Sequence, residues 1–291
     1  MMRWQSRPVN ASRGFTLTEI AISLFVMALI IGFFMSTGTA FLDLRKNEGT
    51  QIKLKAIEAA LAGYVAVNGR LPCPANGQLA VTAINAGRED GNAGGCINNQ
   101  QSGVVPWVTL GLSEVDILDG WYNRITYRVG STLIVARGMD MTTCDPAGTA
   151  ASTGAPNHLC SAACLGSDLT TCTSPSNFLS ANKGLSILDA SPGGTMLMNA
   201  TVTPSEGAAY ILISHGPDGR GAYPAGGAAV PTSTAGAGVD EIWNANGVAL
   251  RTSYVDRALD ESNTATHFDD IVLRPSIMRV VQRAERGPRA H

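Results

Sequence analysis

The chain has 291 residues, enough for one large domain or two small ones around a real core. Its 21 Lys+Arg against 23 Asp+Glu leave a net charge of −2, which gives no footing for binding a polyanion, so no nucleic-acid partner is expected. A hydrophobic fraction of 45% excludes general disorder, while 15% charged residues and abundant Gly, Ala, Ser and Thr suit loop-rich exported material better than a cytosolic enzyme.

Charge is uneven at the start. Residues 1–14 carry Arg3, Arg7 and Arg13 and no acid; Phe15 to Leu42 then carry one ionisable group, Glu19. The uncharged run from Ile20 to Leu42 is long enough, at ~1.5 Å per residue, to cross ~30 Å of hydrocarbon. The arginine bias predicts a cytoplasmic leader and an exported remainder. An ordinary signal peptide cut at Gly38-Thr39-Ala40 is one reading, but the apolar run exceeds the usual length of about 7–15 residues. A carboxylate at its threshold also needs a nearby cation.

Arg13-Gly14-Phe15-Thr16-Leu17-Thr18-Glu19, followed at once by an apolar segment, resembles the cleavage and methylation signal of type IV pilins and type II secretion pseudopilins. The resemblance implies that a prepilin peptidase cuts between Gly14 and Phe15, that Phe15 is N-methylated, and that the apolar helix stays on the protein. Glu19, the fifth mature residue, would then pair with the new Phe15 amine of its own or a neighbouring subunit. Loss of the leader's three arginines leaves 18 basic against 23 acidic residues, a charge of −5.

Residues 15–42 are thus expected to form a transmembrane and filament-core helix, continued over 43–68 by an amphipathic half. Leu54, Ile57, Leu61 and Tyr64/Val65 recur at spacings of three and four, opposite Lys53, Lys55 and Glu58. Asn68-Gly69 ends the pattern and Pro72 and Pro74 forbid its continuation. Gly32, Gly38 and Gly49 within it each weaken a helix by up to ~1 kcal/mol relative to Ala.

Residues 69–275 read as an α+β head. Strands are predicted at Ile125–Val129, Leu133–Ala136, Ala209–Ser214 and Ile271–Leu273, with weaker patterns at Leu185–Leu188 and Thr195–Asn199. Segments 142–183 and 217–240 read as loop insertions. Over residues 276–291, Ile277, Val280, Val281 and Ala284 predict a short helix before a basic tail. Leu71-Pro72-Cys73-Pro74, the Gly120–Tyr127 stretch, Ser214-His215-Gly216-Pro217-Asp218-Gly219 and Phe268-Asp269-Asp270-Ile271 occur in the order of the loop-strand markers of pseudopilin heads, which they resemble. Tyr122 stands where that family usually has glycine and Arg124 where it has proline. The expected fold class is therefore α+β and pilin-like: a long N-terminal helix, transmembrane in its first half, packed on an antiparallel sheet head with large insertions.

Six cysteines, an even number in an oxidising compartment, point to disulfides. Cys73 and Cys96 bracket one loop, whose closure is worth ~3 kcal/mol. Cys144, Cys160, Cys164 and Cys172 allow three pairings. A zinc site using His158, Cys160, Cys164 and Cys172 competes, though its spacing matches no known finger. By the family resemblance, Asp218, Asp269 and Asp270 form a calcium site, calcium being the one cofactor expected and none being required. Glu89-Asp90-Gly91-Asn92 reads as a solvated acidic loop. Ser214 and His215 are hydrolase residue types, but neighbours on a strand face opposite ways, and neither Gly-x-Ser-x-Gly nor His-Glu-x-x-His is present, so no enzyme is expected.

The expected function is structural: a subunit, of the minor type given its bulky loops, of a type IV pilus or type II secretion pseudopilus. Its expected partners are other pilin or pseudopilin subunits, the prepilin peptidase, an inner-membrane assembly platform and the lipid bilayer. It would sit single-pass in the inner membrane with a periplasmic head, then move to a filament at the cell surface. The alternative is a membrane-anchored periplasmic binding or adhesion module.

Overall fold

A computed structural model describes residues 16–92, 95–96, 103–144, 175–248, 251–260 and 262–287, without the side chains of 33–41, 92 and 95. The leader 1–14, the residues Gly14 and Phe15, and His158, Cys160, Cys164 and Cys172 lie outside the described residues, as does most of the 142–183 insertion. The chain divides into two compact units, Met1–Arg45 and Lys46–His291.

Helix α1 runs from Leu17 to Asn68. It begins on a reciprocal cap. The Thr16 backbone N–H and Oγ1 both donate to Glu19 Oε2 at 2.9 Å, and Glu19 N donates back to Thr16 Oγ1 at 3.3 Å. It ends where Gly69 takes a φ of +63° and its N–H closes on Val65 O at 2.8 Å, a conformation that costs glycine nothing.

Among the described residues no helix is long and apolar enough to cross a membrane. This corrects the expected fold class: the described residues form a mixed α+β fold with antiparallel sheets, and no transmembrane helix is found among them. The expected single-pass inner-membrane localisation falls with it.

The head's strands in chain order are β1 (Ala75–Asn76), β2 (Gly91–Asn92), β3 (Gly95–Cys96), β4 (Gly103–Val104), β5 (Asn123–Arg124) and β6 (Thr126–Val129). After helix α2 (Pro175–Phe178) come β7 (Ser186–Leu188), β8 (Met196–Met198), β9 (Tyr210–Ser214) and β10 (Tyr223–Pro224). Helix α3 (Val239–Asn244), β11 (Ser253–Val255), β12 (Ile271–Leu273) and α4 (Ile277–Arg283) complete the chain. The main sheet is antiparallel in the order β1-β4-β6-β9-β12, with Thr126 opposite Ile213 and Ile271 opposite Ser214. A second sheet, β11-β7-β8, joins one parallel and one antiparallel pair.

Strand β9 explains the layering. All five of its residues are buried. Period-two alternation sends Tyr210 and Leu212 to one core and Ile211 and Ile213 to another. The first core holds the α1 stripe Leu54, Ile57, Leu61 and Val65, each 0% exposed, together with Tyr127, Val129 and the α4 residues Val280 and Val281. Burying four such side chains contributes roughly 6–12 kcal/mol before the entropy of ordering them. The second core holds Leu185, Ile187, Ala208 and Tyr254. Strand β9 is thus the shared wall.

Ionic contacts fasten α4 to α1. Glu58, buried on α1, receives Arg283 Nη1 at 2.8 Å and Arg279 Nε at 3.1 Å. Glu58 was expected on the polar face; α4 covers it, which is why both arginines are needed there. Residues 133–136, expected as a strand, instead follow a 3₁₀ turn at Ser131–Leu133. Leu133 O accepts the Leu71 N–H at 2.9 Å outside any ladder.

The Gly120–Arg124 turn differs from glycine-proline chemistry as its residues demand. Tyr122, 74% exposed, is held at φ +65°. Arg124 is fully buried, donating from Nε to Glu114 Oε1 at 2.7 Å and from Nη1 to the carbonyls of Gly77 and Leu79 at 3.0 and 2.9 Å. Its guanidinium lies 4.9 Å from the Trp107 ring centroid. A Cys73–Cys96 disulfide closes the expected loop. Cys144 is also disulfide-bonded, and among the described residues no cysteine is free.

Candidate functional site

Two places carry chemistry. At the N-terminus of α1, Glu19 is exposed, and the hydrogen bonds it accepts, first from the Thr16 backbone and then from the Thr16 side chain, hold its carboxyl below the usual range. The carboxylate therefore folds back toward the residue preceding the helix. Thr16-x-x-Glu19 has the spacing of a capping box, a signal that sequence reasoning passed over while assigning Glu19 to an amine. Every large apolar side chain described from Leu17 to Ile31 is exposed, from 46% at Val26 and Ile30 to 85% at Leu17.

The second place lies where the loop after β9, the first turn of α3 and the segment before β12 converge. Asp218, Glu241, His267 and Asp269 each bring a ligand atom to within 4.8 Å of the others. Glu241 Oε2 accepts from Gly238 N at 3.0 Å, and Oε1 accepts from Asp269 N at 3.0 Å. His267 Nδ1 stands 2.7 Å from the same Oε1 and 4.0 Å from Asp218 Oδ2. Asp218 accepts from Arg220 N at 2.9 Å and from Arg220 Nε at 2.7 Å. Asp269 Oδ2 accepts from Asp218 N at 3.2 Å, while Asp269 Oδ1, buried, has no partner. Burial, then the charges of Asp218, Asp270 and Glu241, push the Asp269 carboxyl well up.

Two glycines permit this convergence. A Cβ on Gly216, whose φ is +58°, would lie 2.5 Å from the Asp269 carboxyl carbon, and one on Gly238 would lie 2.0 Å from His267 O.

Of the three aspartates expected together, the structure joins Asp218 and Asp269. Asp270 turns the other way. Its Oδ2 accepts from Asn244 Nδ2 at 2.8 Å and its Oδ1 lies 3.2 Å from His215 Nδ1. Burial pushes the Asp270 carboxyl up, against the pull of His215. Glu241 and His267 escaped sequence reasoning. The readable signal for His267 was its place two residues before Asp269, which puts both on one side of extended backbone, with buried Phe268 on the other.

Beneath this cluster the hydrolase residue types are separated. Ser214 Oγ donates to Asp119 Oδ2 at 2.7 Å. His215 Nε2 is hydrogen-bonded to Thr126 Oγ1 at 2.9 Å, and that oxygen accepts from Asn246 Nδ2 at 2.7 Å. Thr126, His215 and Asp270 form a line of side chains that are each at most 4% exposed, shut away from solvent. Asp119 caps the 120–123 turn through the N–H groups of Trp121 and Asn123, both at 2.9 Å, while burial pushes its carboxyl up.

Glu89, expected to be solvated, is half-buried instead. It takes both Arg70 Nη1 and Nη2 at 2.9 Å, Tyr64 OH at 2.9 Å and Cys73 N at 3.1 Å. Burial pushes its carboxyl up, but these donors outweigh it and hold the group below the ordinary value. Comparison with known proteins adds nothing to these geometries: no family model, no curated protein and no solved structure matches the chain.

Proposed function

We propose that the chain is a pilin- or pseudopilin-type subunit, joined to other subunits through its N-terminal helix. The observation that carries this reading is the first half of α1, where ten large apolar side chains between Leu17 and Ile31 are 46–85% exposed around the whole helix. A core-packing helix shows one apolar stripe; one apolar all round requires cover on every side. Each such side chain gains roughly 1.5–3 kcal/mol on full burial, so packing among equivalent helices offsets the cost of bringing subunits together.

Glu19 supports the same reading. A carboxylate at the head of an apolar helix is tolerated among neighbouring helices only when paired, and it already accepts the Thr16 backbone N–H. Cleavage after Gly14, the processing that the Arg13–Glu19 resemblance suggests, would place a new amine on Phe15, next in sequence to the Thr16 that already donates to that carboxylate. The Lys46–His291 unit, with its own core, supplies the outer contacts.

The test is Glu19→Ala in the producing cell. The variant should keep a folded head, read by intact Cys73–Cys96 and a normal melting profile, and be absent from sheared or cross-linked filaments. Incorporation at the wild-type level would refute the assembly role. Mass spectrometry of the wild-type chain should find Phe15 as the first residue, carrying one methyl group.

A further inference from the structure

The convergence of Asp218, Glu241, His267 and Asp269 goes beyond the filament reading and does not depend on it. We propose that these four residues bind one divalent transition cation of the zinc class, rather than calcium, and that the ion ties the loop after β9 to α3 and to the segment before β12.

Three features lead there. The first is an unused acceptor: Asp269 is 3% exposed and its Oδ1 has no hydrogen-bond partner, a costly state for a carboxylate oxygen unless a ligand fills it. The second is charge. Three carboxylates meet one guanidinium, Arg220, and one imidazole, while the adjacent Asp270 is already occupied by His215 and Asn244. Ionised, the set carries a net negative charge that a dication cancels.

The third is support for the ligands. Glu241 is oriented by Gly238 N and Asp269 N, Asp218 by Arg220, and Asp269 by Asp218 N, so the carboxylates are held by donors before any ion arrives. Access exists, since the side chains of His267 and Asp218 are 24% and 25% exposed.

The donor set selects the metal. Calcium takes roughly 6–8 oxygens and no imidazole, whereas zinc takes about four ligands of the His-and-carboxylate kind at ~2.0–2.2 Å. Around such an ion the ligand atoms sit ~3.4 Å apart, so the 4.8 Å spread has to tighten and His267 Nδ1 has to give up its contact with Glu241 Oε1. That exchange leaves no group worse satisfied: the ion replaces the proton between them and engages the idle Asp269 oxygen.

The test uses the purified full chain, stripped with chelator and titrated calorimetrically with Zn²⁺, Ca²⁺ and Co²⁺ separately. One equivalent of Zn²⁺ should bind, at least roughly tenfold more tightly than Ca²⁺, and His267→Ala and Asp269→Asn should each weaken it by roughly 100-fold. The Co²⁺-loaded wild-type chain should show tetrahedral visible bands without a thiolate charge-transfer band, which decides the matter even where His267→Ala does not fold. Absence of Zn²⁺ binding, tighter Ca²⁺ binding, affinity unchanged in a folded variant, or a thiolate band placing the metal on cysteine would each overturn the assignment.

Discussion

Lys183 offers the sharpest test of how this head is held together. Its side chain is 2% exposed, with Nζ donating to Phe178 O at 2.9 Å and lying 3.3 Å from the Phe178 ring centroid. Among the described residues no carboxylate pairs with it, and burial pushes its ammonium from 10.5 down to about 7. The folded chain therefore binds fewer protons than the unfolded one between about pH 7 and 10.5, so stability rises with pH across that window. Below about pH 7 both states are protonated, and the penalty is constant at about 5 kcal/mol. At about pH 9 it has fallen to about 2 kcal/mol.

Lys183→Met removes the charge and loses one hydrogen bond to Phe178 O, worth ~1 kcal/mol. Urea denaturation of wild type and variant should show the variant more stable by about 4 kcal/mol at about pH 6, but by only about 1 kcal/mol at about pH 9. A difference that stays the same at both pH values would show that the buried ammonium costs the fold nothing, and the reasoning would be wrong.

Tyr122→Gly should raise the thermal midpoint, because releasing a left-handed tyrosine at φ +65° returns ~1–2 kcal/mol while glycine's unfolded-state freedom takes back part of it. A lowered midpoint would mean that the exposed ring makes an unseen contribution. The double change Cys73→Ser with Cys96→Ser opens a loop of sequence separation 23 and should cost ~3 kcal/mol in chemical denaturation; a loss below ~1 kcal/mol would mean the loop is held by Glu89 and Arg70 instead.

Helix α1 was legible at its far end because Asn68-Gly69 and two prolines mark a stop that no tertiary contact overrides. Strand β9 was legible because its apolar run is buried on both faces. The same signal misled at Leu133–Ala136, where Leu133 and Ile134 are buried at the end of a 3₁₀ turn, and burial without a ladder partner looks identical in sequence. Glu89 was read as a solvated charge and Arg124 as a residue in proline's place, yet each is enclosed by partners brought from other segments, tens of residues away for the Gly77 and Leu79 carbonyls. Of the metal-capable set, Asp218 and Asp269 could be named from their loops. Glu241 and His267 could not be joined to them, since only the folding of α3 against the segment before β12 makes them neighbours. The expected membrane span was a count of consecutive apolar residues from Ile20 to Leu42, and among the described residues no helix is long and apolar enough to cross a membrane.

The C-terminal segment grips α1 at two levels, through Glu58 with Arg279 and Arg283, and through Arg286, whose Nη2 donates to Ala66 O at 2.7 Å while Nη1 reaches Asp140 at 3.2 Å. A tensile load entering along α1 consequently does not have to travel through the covalent chain to reach the end of the polypeptide. It passes sideways, in shear, from the turns of α1 that carry Glu58 and Ala66 to Arg279, Arg283 and Arg286, so the two share the load.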